Sequence, residues 1–452
     1  MKSLRSLFGG DVRQFTMLGA LVALLLFFQI MTGGKVLTPT NMVNLINGNS
    51  YVLILAIGMV MVIVVGHIDL SVGSVAAVTG IIVAMAIRDW GIPWWAGMLL
   101  GLFVGAAIGA WQGWWVAYVG IPGFITTLAG MMLFRGLNQF IGKSNSVPVP
   151  DEFQFIGAGY LGEWGPNTGL NNPTLLLGIL AAVYVVWHEW QLRKKALRVG
   201  AQPQSYTIAG IRAGGLILII SYITYLFGSG RVGTSFPVPG LLLVGLVILY
   251  HVLTQRTVIG RHIFAVGGNR VAASLSGVST KHTYFFVMMN MSILAAVAGM
   301  VFIGRSTASG PFDGNMWELD AIAAVFIGGA AVSGGIGTVT GSIIGGLVMA
   351  TLNNGLQLMG VGSDRTQIIK GLVLLLAVAF DVYNKQQGKP SIIGLLFRNR
   401  SAPEDSVDGG AETPPNVDPR TAEVAVVGAE PTNVTAHEQH PSADAQDKEG
   451  RT

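Results

Sequence analysis

The 452-residue chain contains no cysteine. Disulfides, thiolate metal sites and cysteine nucleophiles are excluded with it. Charge is scarce as well. Lys, Arg, Asp and Glu make up 11% of the residues, against about 25% in soluble globular domains. So few charges cannot cover a water-facing surface of this size. Enzyme signatures are missing too: no HExxH, no GxSxG and no catalytic carboxylate pair occurs. No catalytic residue and no metal ligand is assigned. The Gly-Lys-Ser of "IGKSNS" fails as a phosphate loop, because its leading glycine would fall on Leu137.

What the chain does have is apolar sequence, 51% of it. A membrane span needs about 20 apolar residues, fewer where it is kinked or wrapped by protein. Runs near 14–32, 50–67, 72–88, 94–118, 122–141, 174–189, 214–228, 240–254, 283–304, 321–335, 338–360 and 368–384 fit. The expected fold is all-α, a polytopic integral membrane bundle of about twelve spans over residues 1–390. The segment 321–335 either spans or is re-entrant. The first run, Phe15 to Ile30, has no small-residue cleavage site behind it and reads as a retained span.

The charges are distributed unevenly. Residues 401–452 hold 3 Lys/Arg against 11 Asp/Glu, a net of −8. The stretch 391–452 reads as a disordered acidic cytoplasmic tail, too polar to offset the entropy of ordering. In the remainder the basic residues fall in four groups. Lys2, Arg5 and Arg13 precede the first run, and Lys385, Lys389, Arg398 and Arg400 follow the last. Arg193, Lys194, Lys195, Arg198 and Arg212 form the third group; Arg256, Arg261, Arg270 and Lys281 form the fourth. If the spans alternate, all four groups lie on one side, which the positive-inside rule makes the cytoplasm. The opposite connections carry Asp151, Glu152, Glu163, Asp313, Glu318 and Asp320. Both termini are therefore expected in the cytoplasm. Topology explains the basic surplus without nucleic acid.

Glycine is abundant, 62 residues, and small residues let membrane helices approach closely. "GLFVGAAIGAW" and "GSIIGGLVMA" have that spacing. Trp111, Trp114, Trp115 and Tyr118 close a span as an interfacial aromatic belt would. In "VVGHIDLSVGSVAAV", Asp69 is either a helix cap at a break or a gate residue on a substrate path. His67 beside it reads as an interfacial histidine. Asn138, Gln139, Asn290, Asn353, Asn354 and Gln357 lie inside runs. Such amides suit either interhelical hydrogen bonds or a neutral polyol path.

One stretch, "GRHIFAVGGNRVAASLSGV" (260–278), is cytoplasmic on this topology. It lacks GxGxxG spacing, so it is no nucleotide cradle. Helix-forming "RVAASL" with Gly277 as a stop predicts a short surface helix after a glycine-rich turn. That helix is either a seat for another protein or a basic loop held by lipid headgroups.

Five motifs together resemble the permease subunits of carbohydrate ABC importers of the ribose, xylose and arabinose group. They are "GHIDLSVGS", "IPGFITTLAGMMLFRG", "GRHIFAVGGNRVAASLSGV", "ELDAIAAVFIGGAAVSGGIGTVTGSIIGG" and "QIIKGLVLLLAV". "GAWQGWWVAY" and the extra hydrophobic pair within 174–228 look most like the xylose permeases. His67 and the acidic tail depart from the family pattern. The resemblance implies a non-catalytic, multi-pass subunit of the cell membrane that moves a monosaccharide, a pentose such as xylose. It implies three partners besides membrane lipid: a cytoplasmic ABC ATPase, an extracytoplasmic sugar-binding protein and a second permease copy. ATP and Mg would bind the ATPase, so this chain needs no cofactor. The resemblance also places the coupling helix in the loop 254–282, with Gly260, Arg261, Gly267, Gly268, Asn269, Ala272, Ala273 and Gly277 as its contact residues. Asp69, Asn138, Asn290, Asn353, Asn354 and Gln357 stand as candidates for the path or gate. The rival reading is an ion-coupled secondary sugar transporter.

Overall fold

The computed structural model describes residues 12–200, 205–229 and 235–386, with side chains over residues 17–379 of these. The basic groups at residues 2–13 and 385–400 and the acidic tail fall wholly or almost wholly outside that range.

Each of the twelve apolar runs overlaps a helix. In chain order these are α1 (Val12–Met31), α2 (Pro39–Val64), α3 (Val72–Trp90), α4 (Trp94–Trp114), α5 (Gly123–Ile141), the short α6 (Asp151–Ala158), α7 (Asn172–Arg198) and α8 (Tyr206–Gly228). They continue as α9 (Val238–Arg256), α10 (Val258–Gly268), α11 (Arg270–Leu275), α12 (Thr280–Ser306), α13 (Trp317–Ile327), α14 (Val339–Leu358) and α15 (Ser363–Gln386). Among the described residues eight helices are long and apolar enough to cross a membrane: α2, α3, α4 with its extension to Val119, α7, α8, α9, α12 and α14.

Two elements differ from the sequence reading. The run at 50–67 belongs to a helix that starts at Pro39. Its first turns carry asparagines, which hydropathy counts against a span. The helix holds them by pairing: Asn41 exchanges two 2.9 Å amide hydrogen bonds with Asn354. The run at 321–335 is helical only from Trp317 to Ile327. Eleven residues rise about 16 Å, half of a bilayer core. The run therefore holds a half-helix, and the chain beyond it is irregular as far as Thr338. Glu318 and Asp320, which the sequence places in an outer connection, are buried in its first turn.

α12 is the central post. α2 runs antiparallel to it, with Gly48 beside Arg305 and Gly58 beside Met291 and Leu294. α2 is apolar on all sides from Leu53 to Val64, and it is buried on all sides. α4 also runs antiparallel to α12 and presents a stripe of Gly97, Gly101, Gly105, Gly109 and Gly113, all buried. A Cβ on Gly105 would lie 2.6 Å from Ala296 Cβ, and one on Gly109 would lie 2.6 Å from Met289 Cα. The backbones touch because the side chains are absent. A five-residue π-helical turn, Trp115–Val119, follows.

These directions define two ends of the bundle. Val64, Arg256, Arg270 and Lys281 lie at one, Arg305 and α6 at the other. The 159–161 strip hydrogen-bonds 236–238, and Asn171 N–H reaches Gly228 O. α7 and α9 thus start together at the Arg305 end. The basic run Arg193 to Arg198 therefore finishes at the Val64 end, with the basic group of 256–281.

Candidate functional site

α2 stops at Val64 through a paired turn. Gly66 N–H donates to Ile63 O and His67 N–H to Val62 O, with Gly66 at φ +85°. Glycine adopts that left-handed conformation without steric cost. The chain then runs extended to Ser71, where α3 begins. Asp69 is fully buried here. Its Oδ1 accepts from Ser71 N–H at 2.8 Å and Ser71 Oγ at 2.6 Å. Asp69 thus shapes the turn before the helix, while Ser71 occupies the cap position itself. Gln112 Nε2 donates to Ser71 Oγ at 2.8 Å, and Thr127 Oγ1 bridges Ile68 O and Leu70 N–H.

Polar groups continue from this turn along α3 and α5. Gly73 touches the backbone of Gly314 and the carboxylate of Glu318. Arg135, from α5, stands 3.6 Å from Glu318. One turn later Asn138 Nδ2 donates to Gly310 O and Pro311 O, each at 3.2 Å. Asp69 Oδ2, Gln112 Oε1, Asn138 Oδ1 and Glu318 Oε2 are buried without a hydrogen-bond partner, and so is the Arg135 nitrogen whose ion pair with Glu318 is too long for one. Buried polar atoms are normally satisfied, so this file has capacity to bond something besides protein. Beside Glu318, Trp317 packs against Tyr51 and Phe302, with ring centroids 4.3 and 4.5 Å apart.

The path candidates from the sequence are not gathered in one place. Asp69 and Asn138 both lie on this file. Asn290 accepts from Tyr250 Oη at 2.7 Å, away from it. Asn354 is tied to Asn41, Asn353 is half-buried on the same helix, and Gln357 is exposed near its end. Arg135 and Gln112 were not singled out from the sequence, and Glu318 stood there only as an acid of an outer connection. Arg135 was visible there, as a cation inside the apolar run "MMLFRGLNQF".

The 254–282 loop forms two helices rather than one helix after a flexible approach. Thr257 caps α10, and Asn269 Oδ1 caps α11 by accepting from Ala272 N–H at 2.9 Å. Gly277 ends α11 at φ +83°, with Gly277 N–H on Ser274 O and Val278 N–H on Ala273 O. Gly267 and Gly268 are helical and do not form a turn. Gly260 and Gly267 are close-contact positions: a Cβ would meet Thr254 O at 2.2 Å and Val64 O at 1.8 Å, respectively. Ala273 faces inward, whereas Arg261, Gly268, Asn269 and Ala272 are exposed. Val271 and Leu275, 69% and 85% exposed, form an apolar ridge one turn apart.

Ile263, Val266 and Ala273 bury this helix pair against the bundle core, and two polar links add to that. Val64 O accepts from Gly335 N–H at 2.8 Å while touching Gly267, so α2, α10 and the segment after α13 meet at one carbonyl. Arg270 lies over the Tyr284 ring, whose other contact is the His67 imidazole, edge-on at 4.6 Å. Burial first, then the Arg270 charge, holds the His67 pKa below its ordinary value.

Among the described residues no cluster of His, Asp or Glu could hold a metal ion. A family model described as "Branched-chain amino acid transport system / permease component" matches residues 41–378. The chain is 38% identical over 383 residues to the xylose transport system permease protein XylH of Haemophilus influenzae, covering 83% of this chain and 98% of that one. It is 37% identical over 379 residues to XylH of Escherichia coli K12, covering 83% and 93%. It is 33% identical over 371 residues to the ribose import permease protein RbsC of E. coli K12, covering 81% and 94%. No solved structure matches. The chain thus belongs to the family of transport-system permease components and is a multi-pass protein of the cell membrane.

Proposed function

We propose that this chain is the membrane subunit of an ATP-driven importer of a monosaccharide, a pentose such as xylose. The observation that carries the coupling half of this reading is the Val271–Leu275 ridge. It is apolar, exposed and fixed at both ends by a capped helix terminus. On the positive-inside rule its end of the bundle is cytoplasmic. A partner ATPase would seat on the ridge, with its ATP and Mg. Its closure would push α10 against Val64 and switch the bundle between outward and inward access. The bundle is read as about twelve crossings, with a second copy of the chain and a sugar-binding protein completing the importer.

The buried polar file from Gln112 through Asp69 and Glu318 to Asn138 is the proposed path. Unpartnered amide and carboxylate oxygens accept from sugar hydroxyls, and Arg135 donates to them. The xylose and ribose names of the relatives direct the choice of substrate.

The test is uptake of labelled xylose, ribose and arabinose into cells carrying this chain with its ATPase and binding protein. ATP-dependent pentose uptake is expected, with the ATPase co-purifying. The buried acids Asp69 and Glu318 give the ion-coupled rival its one specific support. Uptake that survives without the ATPase and collapses with the proton gradient would establish that rival instead.

A further inference from the structure

The α7–α8 hairpin packs on the bundle at one end, where Thr174, Leu226 and Phe227 are buried, and its remaining length is largely exposed. No residue in the apolar windows of either helix is buried. An open groove of about 500 Å³ runs along it, lined by Ala182, Val183, Val186, Trp187 and Trp190 of α7 and Ile217 of α8. That volume falls within the range of about 300–1,000 Å³ for small-molecule sites, yet the lining is almost wholly apolar.

The groove ends on positive charge. Trp190 is its last lining residue, and Lys194 Nζ sits 3.5 Å from the centre of the Trp190 ring. Arg193 crosses to α8 and lies over the Tyr206 ring at the same distance. Lys195 and Arg198 follow, both exposed. From 172 to 228 the only acid is Glu189, against five Lys/Arg. Arg212 of α8 holds both Glu189 carboxylate oxygens in a half-buried ion pair. That pair closes the hairpin at this level and removes its one negative charge from competition.

We infer that the α7–α8 groove is a seat for an anionic phospholipid of the cytoplasmic leaflet. An acyl chain lies along Val183, Val186 and Trp187, and the phosphate meets Lys194, Lys195 and Arg198. The chemistry is complementary along its length. Apolar side chains contact hydrocarbon, indole and phenol rings sit at the headgroup level, and cations meet the phosphate. A zwitterionic lipid such as phosphatidylcholine would fill the groove equally well, but its choline offsets its phosphate and leaves the cations in net excess. The choice of leaflet rests on the topology proposed above; the choice of lipid class does not.

The experiment is native mass spectrometry of the purified full chain titrated with phosphatidylglycerol or phosphatidylcholine. Selective retention of phosphatidylglycerol is expected. A K194Q/K195Q/R198Q variant should lose the selectivity while keeping its melting temperature. V186W, which fills the groove and spares the cations, should lose retention as well. Equal retention of both lipids by the native chain overturns the seat. Undiminished phosphatidylglycerol binding by V186W also overturns it, reducing the site to a charged surface. Orientation is read separately from L197C, the sole thiol in the chain. Labelling only after permeabilisation is expected. Labelling on intact cells would overturn the leaflet and the topology together, whatever the lipid result.

Discussion

Gly267 of α10 lies against the carbonyl oxygen of Val64, so closely that a Cβ at position 267 would fall 1.8 Å from it. One residue further on, a Cβ on Gly268 would meet nothing within 4 Å. The two neighbours should therefore respond differently to the same change. G267A forces α10 off the end of α2 and should abolish uptake, with a cost of about 1–3 kcal/mol in stability. G268A should leave both unchanged or slightly improved, since alanine suits a helix better. Uptake assays and melting curves in detergent compare the pair.

The ridge on α11 separates binding from folding. L275E and V271D place charge on exposed carbons and should abolish ATPase co-purification while the melting temperature holds. A273D is a different test. Ala273 is buried, and an unpaired buried carboxylate should lower the melting temperature before any partner is added. Normal ATPase capture by L275E would remove α11 from the interface.

The glycine stripe of α4 offers a graded series. At Gly101 the obstacle to a Cβ is mainly the Met300 thioether, at 2.7 Å, which can swing aside. At Gly109 it is the Met289 backbone, at 2.6 and 2.7 Å. G101A should be tolerated, and G109A should cost about 1–3 kcal/mol as α4 and α12 are forced apart. Thermal denaturation of the two variants side by side gives the ranking.

Asp313, in the loop between β2 (Ala308–Ser309) and α13, has its pKa pushed up from 3.8 to about 6 by burial, against the opposing Gly310 N–H hydrogen bond. Between those values the folded chain keeps a proton that the unfolded chain releases. Stability therefore falls as pH rises through this window. Above about pH 6 the ionised group destabilises the fold. D313N keeps an acceptor for Gly310 and carries no charge. It should melt higher than the native chain at pH 7, and the difference should vanish near pH 4. A pH-independent difference would assign the effect to packing.

Much of the helical layout was legible in the sequence, because hydropathy reports where a chain can leave water. Helix ends were less so. α2 starts eleven residues before its apolar run, because Asn41 and its neighbours find partners that hydropathy cannot see. α13 ends at Ile327, because the apolar run continues as the glycine-rich "GGAAVSGGIG", in which Gly329, Gly334 and Gly335 take positive φ. The glycines of 260–268 read as turn and close-contact positions; they are helical, and of them Gly260 and Gly267 meet another backbone atom closely while Gly268 is open. Local sequence does not reveal what another backbone will do. The polar candidates divided for the same reason. An amide in a span marks a need for hydrogen bonds, and only packing decides which of its atoms a neighbour meets, as Tyr250 meets Asn290 Oδ1, and which stay open, as do Asn290 Nδ2 and Asn138 Oδ1.

The stripe of glycines on α4 has a geometric consequence. A surface that repeats every four residues presents nearly the same face after a slide of four residues, about 6 Å. Such a contact holds two helices close without naming their register. The register must be fixed by residues that break the repeat. Gln112, bonded to Ser71, is the first of these, and the π-helical turn at Trp115–Val119 is the second. The glycines thus bring α4 close to α12, while the residues that fix α4 along its own axis lie at one end of it, tied to the polar turn at Asp69.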